Sequence, residues 1–144
     1  MTIPEIFEKY GETRFREIET EFLQSFRNEA CIIATGGGVA ISEKNRKIMR
    51  RSGLVFFLDA KFDDIYMRIR NDKNRPIVQN STEQELEQLY NNRRKFYREA
   101  GHIQVLTAGR TLRQIVEYIA FQVNRLKCEW NRLNNDNRSE FELV

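Results

Sequence analysis

The stretch that decides the fold is "CIIATGGGVA", Cys31 to Ala40, in which a β-branched apolar run leads directly into three glycines. The apolar run predicts a buried strand over Ala30 to Ala34, with the glycines at its carboxyl end. A glycine-rich turn at such a place lets backbone N–H groups approach an anion, although a tight strand-to-helix turn without a ligand gives the same pattern. A phosphate-binding P-loop needs G-x-x-x-x-G-K-S/T, and the 144 residues contain no such string.

Two further apolar runs are predicted to be strands, Leu54 to Leu58 and Ile103 to Leu106. Segments with helical spacing of apolar residues lie between and around them. The predicted helices span Ile3 to Lys9, Thr13 to Arg27 (after a break at Gly11), Ser42 to Arg51, Phe62 to Arg70, Thr82 to Ala100, and a last helix from Thr111. Strands that alternate with helices pair in parallel, so we expect an α/β fold with a three-stranded parallel sheet flanked by helices.

Composition fits one folded domain, with 40% hydrophobic and 31% charged residues. We expect this domain to cover residues 1–127, followed by a helical extension and mobile tail over 128–144. The longest apolar run is too short to span a bilayer, so no membrane partner is expected.

The charge and the cysteine pattern exclude further classes. The net charge is +3, but no nucleic-acid-binding motif accompanies it, so we expect no nucleic-acid partner. Two distant cysteines, Cys31 in the predicted buried strand and Cys128 in the last helix, are typical of a reducing cytoplasm. With a single histidine, His102, a histidine-rich metal site is not expected.

Three other stretches carry residues suited to anionic ligands. In "GETRFREIE", Arg16 follows Phe15 and lies near Glu19, which is how a bidentate clamp for a carboxylate is built, although a surface Arg–Glu pair gives the same spacing. In "RIRNDKNRP", Arg68 and Arg75 bracket a polar loop that suits phosphoryl transfer, or is simply a solvated charge run. "RRKFYREA" places Arg93 and Tyr97 one helical turn apart.

These stretches together resemble shikimate kinase. The sequence has "IPEIFEKYGETRFREIE", "IIATGGGV", "RIRNDKNRPI" and "RRKFY" in that family's order. The resemblance covers roughly Ile3 to Val123 and implies a P-loop-kinase-like fold. It also implies ATP- and Mg²⁺-dependent phosphorylation of the shikimate 3-hydroxyl, in chorismate and aromatic amino-acid biosynthesis, by a monomeric enzyme.

The resemblance also implies roles for individual residues. It assigns the grip on the substrate carboxylate to Arg16 and Arg93, with Glu19 supporting the arginine. It assigns the remaining roles as follows: substrate contacts of the turn to Gly36, Gly37 and Gly38, the aromatic walls to Phe7 and Phe15, the catalytic lid arginine at the transferring phosphate to Arg75, and adenine stacking to Arg68. No residue of this chain matches a metal ligand of the family.

One part of the family pattern is not found in these 144 residues. The family begins with a strand, the P-loop, a helix and a second strand, so we expect that a front segment on the order of 40 residues is missing. We therefore expect a truncated kinase that is nearly inactive alone; the alternative is a non-catalytic shikimate-binding module. In the family the P-loop strand lies between the strands that match Ile32–Ala34 and Val55–Leu58, so without it their backbone groups would be left unpaired. We expect these two strands to pair directly; the alternatives are a strand borrowed from a partner or a chain that does not fold stably.

Overall fold

The computed structural model describes residues 2–26, 31–71, 78 and 80–139, with only the backbone at Pro4 and over 130–139. In chain order the elements are α1 (Ile3–Ser25), a short 3₁₀ turn (Val39–Ile41), α2 (Glu43–Ser52), β1 (Phe56–Asp59), α3 (Phe62–Ile69), α4 (Glu83–Ala100), β2 (Ile103–Leu106) and α5 (Leu112–Ser139). They form two compact units, Met1–Leu106 and Thr107–Val144, which are described separately. The α/β class with a parallel sheet is confirmed.

Helix α1 contains the break that its glycine predicts. It begins with a capping box, in which the Thr2 side chain accepts from the Glu5 N–H and Glu5 accepts from the Thr2 N–H. Gly11 has φ 75° and ψ 174°, so the helix kinks there and continues to Ser25. The two predicted helices are thus one element with a kink, since a residue without Cβ adopts this φ at little cost.

The sheet consists of β1 and β2 paired in parallel, with Phe56 opposite Ile103 and Asp59 opposite Leu106. Val105 of β2 is 0% exposed. The other buried apolar residues are Leu23, Val39, Ala40, Leu86 and Ala100. These buried residues come from α1, the 3₁₀ turn, α4 and β2, and their burial stabilises the first unit.

The predicted third strand is wrong. Residues 31–36 carry no strand, Ile32 is 101% exposed, Cys31 is exposed rather than buried, and Ala30 lies outside the described residues. Within the described ranges the sheet has two strands, so the expected direct pairing of Ile32–Ala34 with Val55–Leu58 is also wrong. An apolar run becomes a strand only where a neighbouring strand takes up its backbone N–H and C=O groups, and none lies beside this one among the described residues.

Helix α4 is held to the sheet by a carboxylate at the end of β1. Asp59 is 4% exposed and accepts from Arg94 Nε (3.3 Å) and Nη2 (2.5 Å) and from Gln104 Nε2 (2.5 Å). The Tyr90 hydroxyl donates to the Ala60 carbonyl at 2.8 Å. The buried Asp59 carboxylate is paired with Arg94 of α4 and with Gln104 of β2, and these contacts fix the rotation of α4 about its axis.

Two arginines of α2 connect this helix to the 3₁₀ turn and to the end of α4. Arg46 Nη1 donates to the carbonyls of Ala40 (2.9 Å) and Ile41 (2.8 Å), and Arg46 Nη2 lies 3.1 Å from a Glu99 carboxylate oxygen. Arg50 Nη1 donates to the carbonyl of Gly101 at 2.8 Å, where α4 ends. A cation there satisfies carbonyls that the helix leaves unpaired.

The second unit is dominated by α5. It begins at the predicted capping box, in which the Thr111 N–H donates to Gln114 Oε1 at 2.8 Å and the Gln114 N–H donates to Thr111 Oγ1 at 3.3 Å. The helix continues to Ser139, so the boundary predicted at residue 127 falls within a continuous helix and stays a prediction. Within the described residues, no helix has the length and apolar character to cross a membrane.

His102 links the stability of the first unit to pH. Its Nδ1 accepts a hydrogen bond from the Val55 N–H at 3.1 Å, and burial, followed by the nearby Arg50 charge, lowers its pKa from the ordinary 6.5. The unfolded chain therefore binds the proton more readily, and the free energy of unfolding falls as pH drops through 6.5 toward the folded pKa.

Urea unfolding at a series of pH values should show this fall in the free energy of unfolding. His102→Asn, which keeps an acceptor but does not titrate, should flatten it; an equal slope in both proteins would contradict this role.

Candidate functional site

The three glycines form a turn that is held by backbone hydrogen bonds and by the two buried residues that follow it. The Val39 N–H donates to the Gly36 carbonyl and the Ile41 N–H to the Gly38 carbonyl, both at 3.2 Å. Val39 and Ala40, directly after the glycines, are 4% and 8% exposed. The buried pair fixes the turn, while Gly36 and Gly37 stay exposed.

Each glycine lies against a side chain from another element. A Cβ placed on Gly38 would stand 2.6 Å from Arg16 Cζ and 2.7 Å from its Nη2, and a Cβ on Gly37 would stand 2.9 Å from the Tyr97 hydroxyl. A Cβ on Gly36 would meet Glu19 Oε1 at an ordinary 3.5 Å. The structure thus brings the glycine triplet together with residues of α1 and α4, and a side chain at Gly37 or Gly38 would overlap the ends of these side chains.

Arg16 is held by two carboxylates of its own helix. Its Nη1 donates to Glu19 Oε2 at 2.7 Å, while its Nη2 and Nε donate to Glu12 Oε1 at 2.9 and 3.3 Å. Burial lowers the pKa of Arg16, but the hydrogen bonds that it donates to Glu19 and Glu12 outweigh this and raise the pKa above the usual value. The guanidinium is therefore a fixed, permanent cation in contact with the glycine turn.

Sequence reasoning missed Glu12, although its i,i+4 spacing from Arg16 is a signal for such a pair. The Glu12 side chain is 65% exposed, whereas that of Glu19 is 13% exposed. An exposed carboxylate is held weakly because water competes for it. The Nε and Nη2 edge is therefore the side of Arg16 that a ligand carboxylate can take over, while Glu19 keeps the guanidinium in place.

Two aromatic residues of α1 pack on each other, and one of them lies beside Arg16. The rings of Phe7 and Phe15 have centroids 4.7 Å apart and are tilted by 43°. Arg16 Cζ stands 5.3 Å from the Phe15 centroid. The structure brings Phe7 onto Phe15 across the Gly11 kink, and the Phe15 ring beside Arg16 limits the rotamers that the arginine can adopt.

On α4, Arg93 and Tyr97 share a face. The Tyr97 ring packs on Phe57 of β1, with centroids 5.5 Å apart, and its hydroxyl reaches Gly37. Arg93 Nε is buried and has no hydrogen-bond partner among the described residues. A buried donor without a partner costs free energy, so this N–H is a position at which a ligand acceptor is favoured.

An open groove lies along α1 and the start of α2. Its volume is about 700 Å³, and its lining includes Glu12, Arg16, Gly38 and Asn45. Asn45 is 2% exposed and accepts from the Thr20 hydroxyl at 2.9 Å, which ties α2 to α1. Arg16 therefore stands between the glycine turn and space large enough for a small molecule.

The two arginines predicted to contact nucleotide are not part of this cluster. Arg68 is an exposed residue in the last turn of α3, and no contact with the glycine turn is observed for it in the described residues. Arg75 lies outside the described residues. Among the described side chains, no three His, Cys, Asp or Glu residues come together as a cation site, so these residues do not fit a Mg²⁺ ion, which takes several oxygen ligands.

Comparison with known proteins finds one family. The family model described as "Shikimate kinase" matches residues 1–124. The shikimate kinase of Nitrosospira multiformis is 42% identical over 125 residues, covering 85% of this chain and 64% of that protein. The shikimate kinase of Geobacter sulfurreducens is 39% identical over 122 residues, covering 83% of this chain and 67% of that protein. The chain thus spans about two thirds of the length of these relatives.

Solved structures agree in fold. A shikimate kinase from Acinetobacter baumannii in complex with shikimate superposes with a TM-score of 0.80 at 35% identity, over 88% of this chain and 72% of that one. The Aquifex aeolicus shikimate kinase gives 0.73 at 30% identity, over 86% and 73%. With a match to residues 1–124 and a glycine turn placed against Arg16 and Tyr97, this chain belongs to the shikimate kinase family.

Proposed function

We propose that this chain carries the shikimate-binding half of a shikimate kinase, the enzyme that transfers a phosphoryl group from ATP to the shikimate 3-hydroxyl. Membership of the family supports the reaction class. The relative from Acinetobacter baumannii was solved with shikimate, which supports the substrate. The free state of both cysteines suits the reducing cytoplasm in which this step of aromatic amino-acid biosynthesis would take place.

The observation that carries the proposal is the buried Nε of Arg93, which has no hydrogen-bond partner among the described residues. Arg93 lies one helical turn before Tyr97, whose hydroxyl meets Gly37. Shikimate has one carboxylate and several hydroxyls. A carboxylate that accepted from Arg93 Nε would satisfy that buried donor, and Arg16 would supply a second cation from α1. Glu19 would hold Arg16 in place, and the rings of Phe7 and Phe15 would wall the substrate ring.

The hydroxyl side of the substrate would lie on the glycine turn. Backbone without side chains at Gly36 to Gly38 permits close approach, and Gly36 and Gly37 are exposed to solvent. This division assigns the carboxylate to the two arginines and the hydroxyls to the turn. It thereby fixes the orientation of the substrate, which is most of what phosphoryl-transfer catalysis requires from the acceptor side.

Nucleotide contacts belong to the same proposal. Arg68 would stack on adenine, and Arg75, with catalytic function, would approach the transferring phosphate. ATP supplies the phosphoryl group and Mg²⁺ offsets its negative charge when both are bound. The described residues offer no oxygen cluster that would hold Mg²⁺.

A second candidate is a shikimate-binding module without catalysis. The 144 residues contain no G-x-x-x-x-G-K-S/T string, and all the contacts observed around the glycine turn involve residues on the acceptor side. A protein that keeps only this half would bind shikimate and leave ATP unchanged.

We expect the 144-residue chain to bind shikimate and to show no shikimate-dependent ATP turnover. Calorimetric titration tests the first part and a coupled ADP assay the second. A fusion that adds the P-loop segment of a relative should recover turnover if the chain is half of a kinase, and should not if it is a binding module. Turnover at ordinary kinase rates of roughly 1–100 s⁻¹ from the chain alone would contradict the expected inactivity. Absence of shikimate binding would overturn both candidates.

A further inference from the structure

One buried carboxylate of the first unit has no part in the proposed function. Asp59 is the last residue of β1 and is 4% exposed. It accepts from Arg94 Nε and Nη2 on α4 and from Gln104 Nε2 on β2. A buried ion pair often adds little stability compared with apolar residues of similar volume, so stability alone is a weak reason for this one. Such a pair can instead determine how two elements are oriented.

The Asp59 pair lies on the same face of the sheet as an aromatic contact that leads to the glycine turn. Side chains two residues apart in a strand point to the same face, so Asp59 and Phe57 share one. Phe57 packs on Tyr97 of α4, with ring centroids 5.5 Å apart. The Tyr97 hydroxyl in turn would stand 2.9 Å from a Cβ on Gly37. This face of β1 therefore holds α4 by one charged contact and one aromatic contact.

The residues of α4 that make these contacts form one stripe. Tyr90, Arg94 and Tyr97 are spaced at i, i+4 and i+7, which places them on one side of a helix. The Tyr90 hydroxyl donates to the Ala60 carbonyl, directly after β1. Arg94 donates to Asp59, and Tyr97 packs on the ring from β1. Contacts along one stripe restrict the rotation of α4, and the ion pair is the one with a defined donor geometry.

Arg93 lies beside this stripe, about 100° around the helix from Arg94. Its place in the site therefore depends on the rotation of α4. A rotation of about 15° would move an atom about 6 Å from the helix axis by about 1.5 Å. Hydrogen-bond distances span only about 2.7–3.2 Å, so a shift of this size would break a bond between Arg93 Nε and a carboxylate.

We propose that Asp59 is a positioning residue for the substrate carboxylate. Through Arg94 it holds α4 at the rotation that sets Tyr97 against Gly37 and places Arg93 to donate to the ligand. Asp59 acts only through Arg94 and is assigned no contact with the ligand. The inference rests on the proposed function, because it requires a carboxylate ligand at Arg93.

Calorimetric titration of the 144-residue chain with shikimate tests this role. Asp59→Asn keeps the shape of the side chain but removes the charge that holds Arg94. It should raise the dissociation constant about three- to tenfold, because Arg93 is misplaced rather than lost. Glu99→Gln is the matched control. It removes another carboxylate of an ion pair that links α4 to a neighbouring element, here Arg46 of α2, but at an exposed site. This variant should bind shikimate like the parent.

Two double variants separate positioning from a general loss of structure. Added to Arg93→Ala, Asp59→Asn should cause no further loss of affinity, because both changes act through one guanidinium. Added to Arg16→Ala on α1, it should cause its full loss again. Urea unfolding shows whether each variant is folded. If Asp59→Asn does not fold, Arg94→Lys takes its place with the same expected pattern, since lysine keeps the charge beside Asp59 but loses the two-pronged contact.

The outcomes distinguish this role from the proposed function. Absence of shikimate binding by the parent chain would overturn the proposed function and this inference with it. Binding by the parent with unchanged affinity in the folded Asp59 or Arg94 variant would overturn the positioning role alone. So would a loss that adds in the Arg93→Ala background, or an equal loss in Glu99→Gln.

Discussion

Arg16→Ala and Arg93→Ala are each expected to weaken shikimate binding by at least about tenfold. A charge-assisted hydrogen bond to a carboxylate is worth about 1.5–3 kcal/mol, and 1.4 kcal/mol corresponds to one factor of ten. Arg93 should show the larger effect, because its buried Nε has no hydrogen-bond partner among the described residues and thus gives up none of their hydrogen bonds when the ligand arrives. Arg16, in contrast, must give up its hydrogen bonds to Glu12 before it can donate to the ligand.

Titration calorimetry with shikimate measures both losses, and each helix offers a control. Arg14→Ala on α1 removes an arginine that pairs with Glu17 and Glu21 at an exposed site. Arg98→Ala on α4 removes another exposed arginine. Surface pairs contribute little to stability, and neither control should change the affinity. Affinity unchanged by Arg16→Ala and Arg93→Ala would show that the carboxylate binds elsewhere.

Replacement by lysine separates charge from geometry. Arg16→Lys keeps the positive charge but loses the planar fork that faces Glu12 and Glu19 together. If orientation of the substrate depends on that fork, the lysine variant recovers only part of the lost affinity. Lysine cannot replace this fork, because Arg16 donates to Glu19 from one edge of the guanidinium and to Glu12 from the other.

Local chemistry explains which elements could be predicted from the sequence. The capping boxes at Thr82 and Thr111 and the break at Gly11 depend on residues within a few positions of each other, and the structure contains all three. The strand predicted over Ala30 to Ala34 depends on a neighbouring strand, which periodicity cannot supply. Residue pattern alone therefore predicted the turn correctly and the element before it wrongly.

In the candidate site, too, only contacts between residues close in sequence could be predicted. Motif spacing predicted that Arg16 and Glu19 belong together, and the structure places them 2.7 Å apart. It could not predict that Gly38 rather than Gly36 touches the guanidinium, because that contact depends on how α1 packs on the 3₁₀ turn. The role of Arg75 stays a prediction, since this residue lies outside the described ranges.

Gly38→Ala is expected to weaken shikimate binding about as much as Arg16→Ala while leaving the fold nearly as stable. Gly38 has φ −74° and ψ −22°, a conformation that alanine adopts without strain. The new methyl group would overlap Arg16, at 2.6 Å from Cζ, and the atoms that must move belong to a side chain rather than to the backbone. The cost therefore falls on the position of the guanidinium, and hence on ligand binding, rather than on the core.

Two further variants test whether Gly38→Ala acts through the position of Arg16. Gly36→Ala adds the same methyl group to the same turn at an ordinary 3.5 Å from Glu19 and leaves the guanidinium in place, so its loss of affinity measures only the close approach of the substrate to the turn and should be smaller than that of Gly38→Ala. The double variant Gly38→Ala with Arg16→Ala should bind no worse than Arg16→Ala alone, because both changes act through one guanidinium. Calorimetry gives the affinities and urea unfolding gives the stabilities. Losses that add in the double variant would mean that Gly38 contacts the ligand by itself, and a large loss of stability in Gly38→Ala would mean that the turn cannot accept a side chain for reasons unrelated to Arg16.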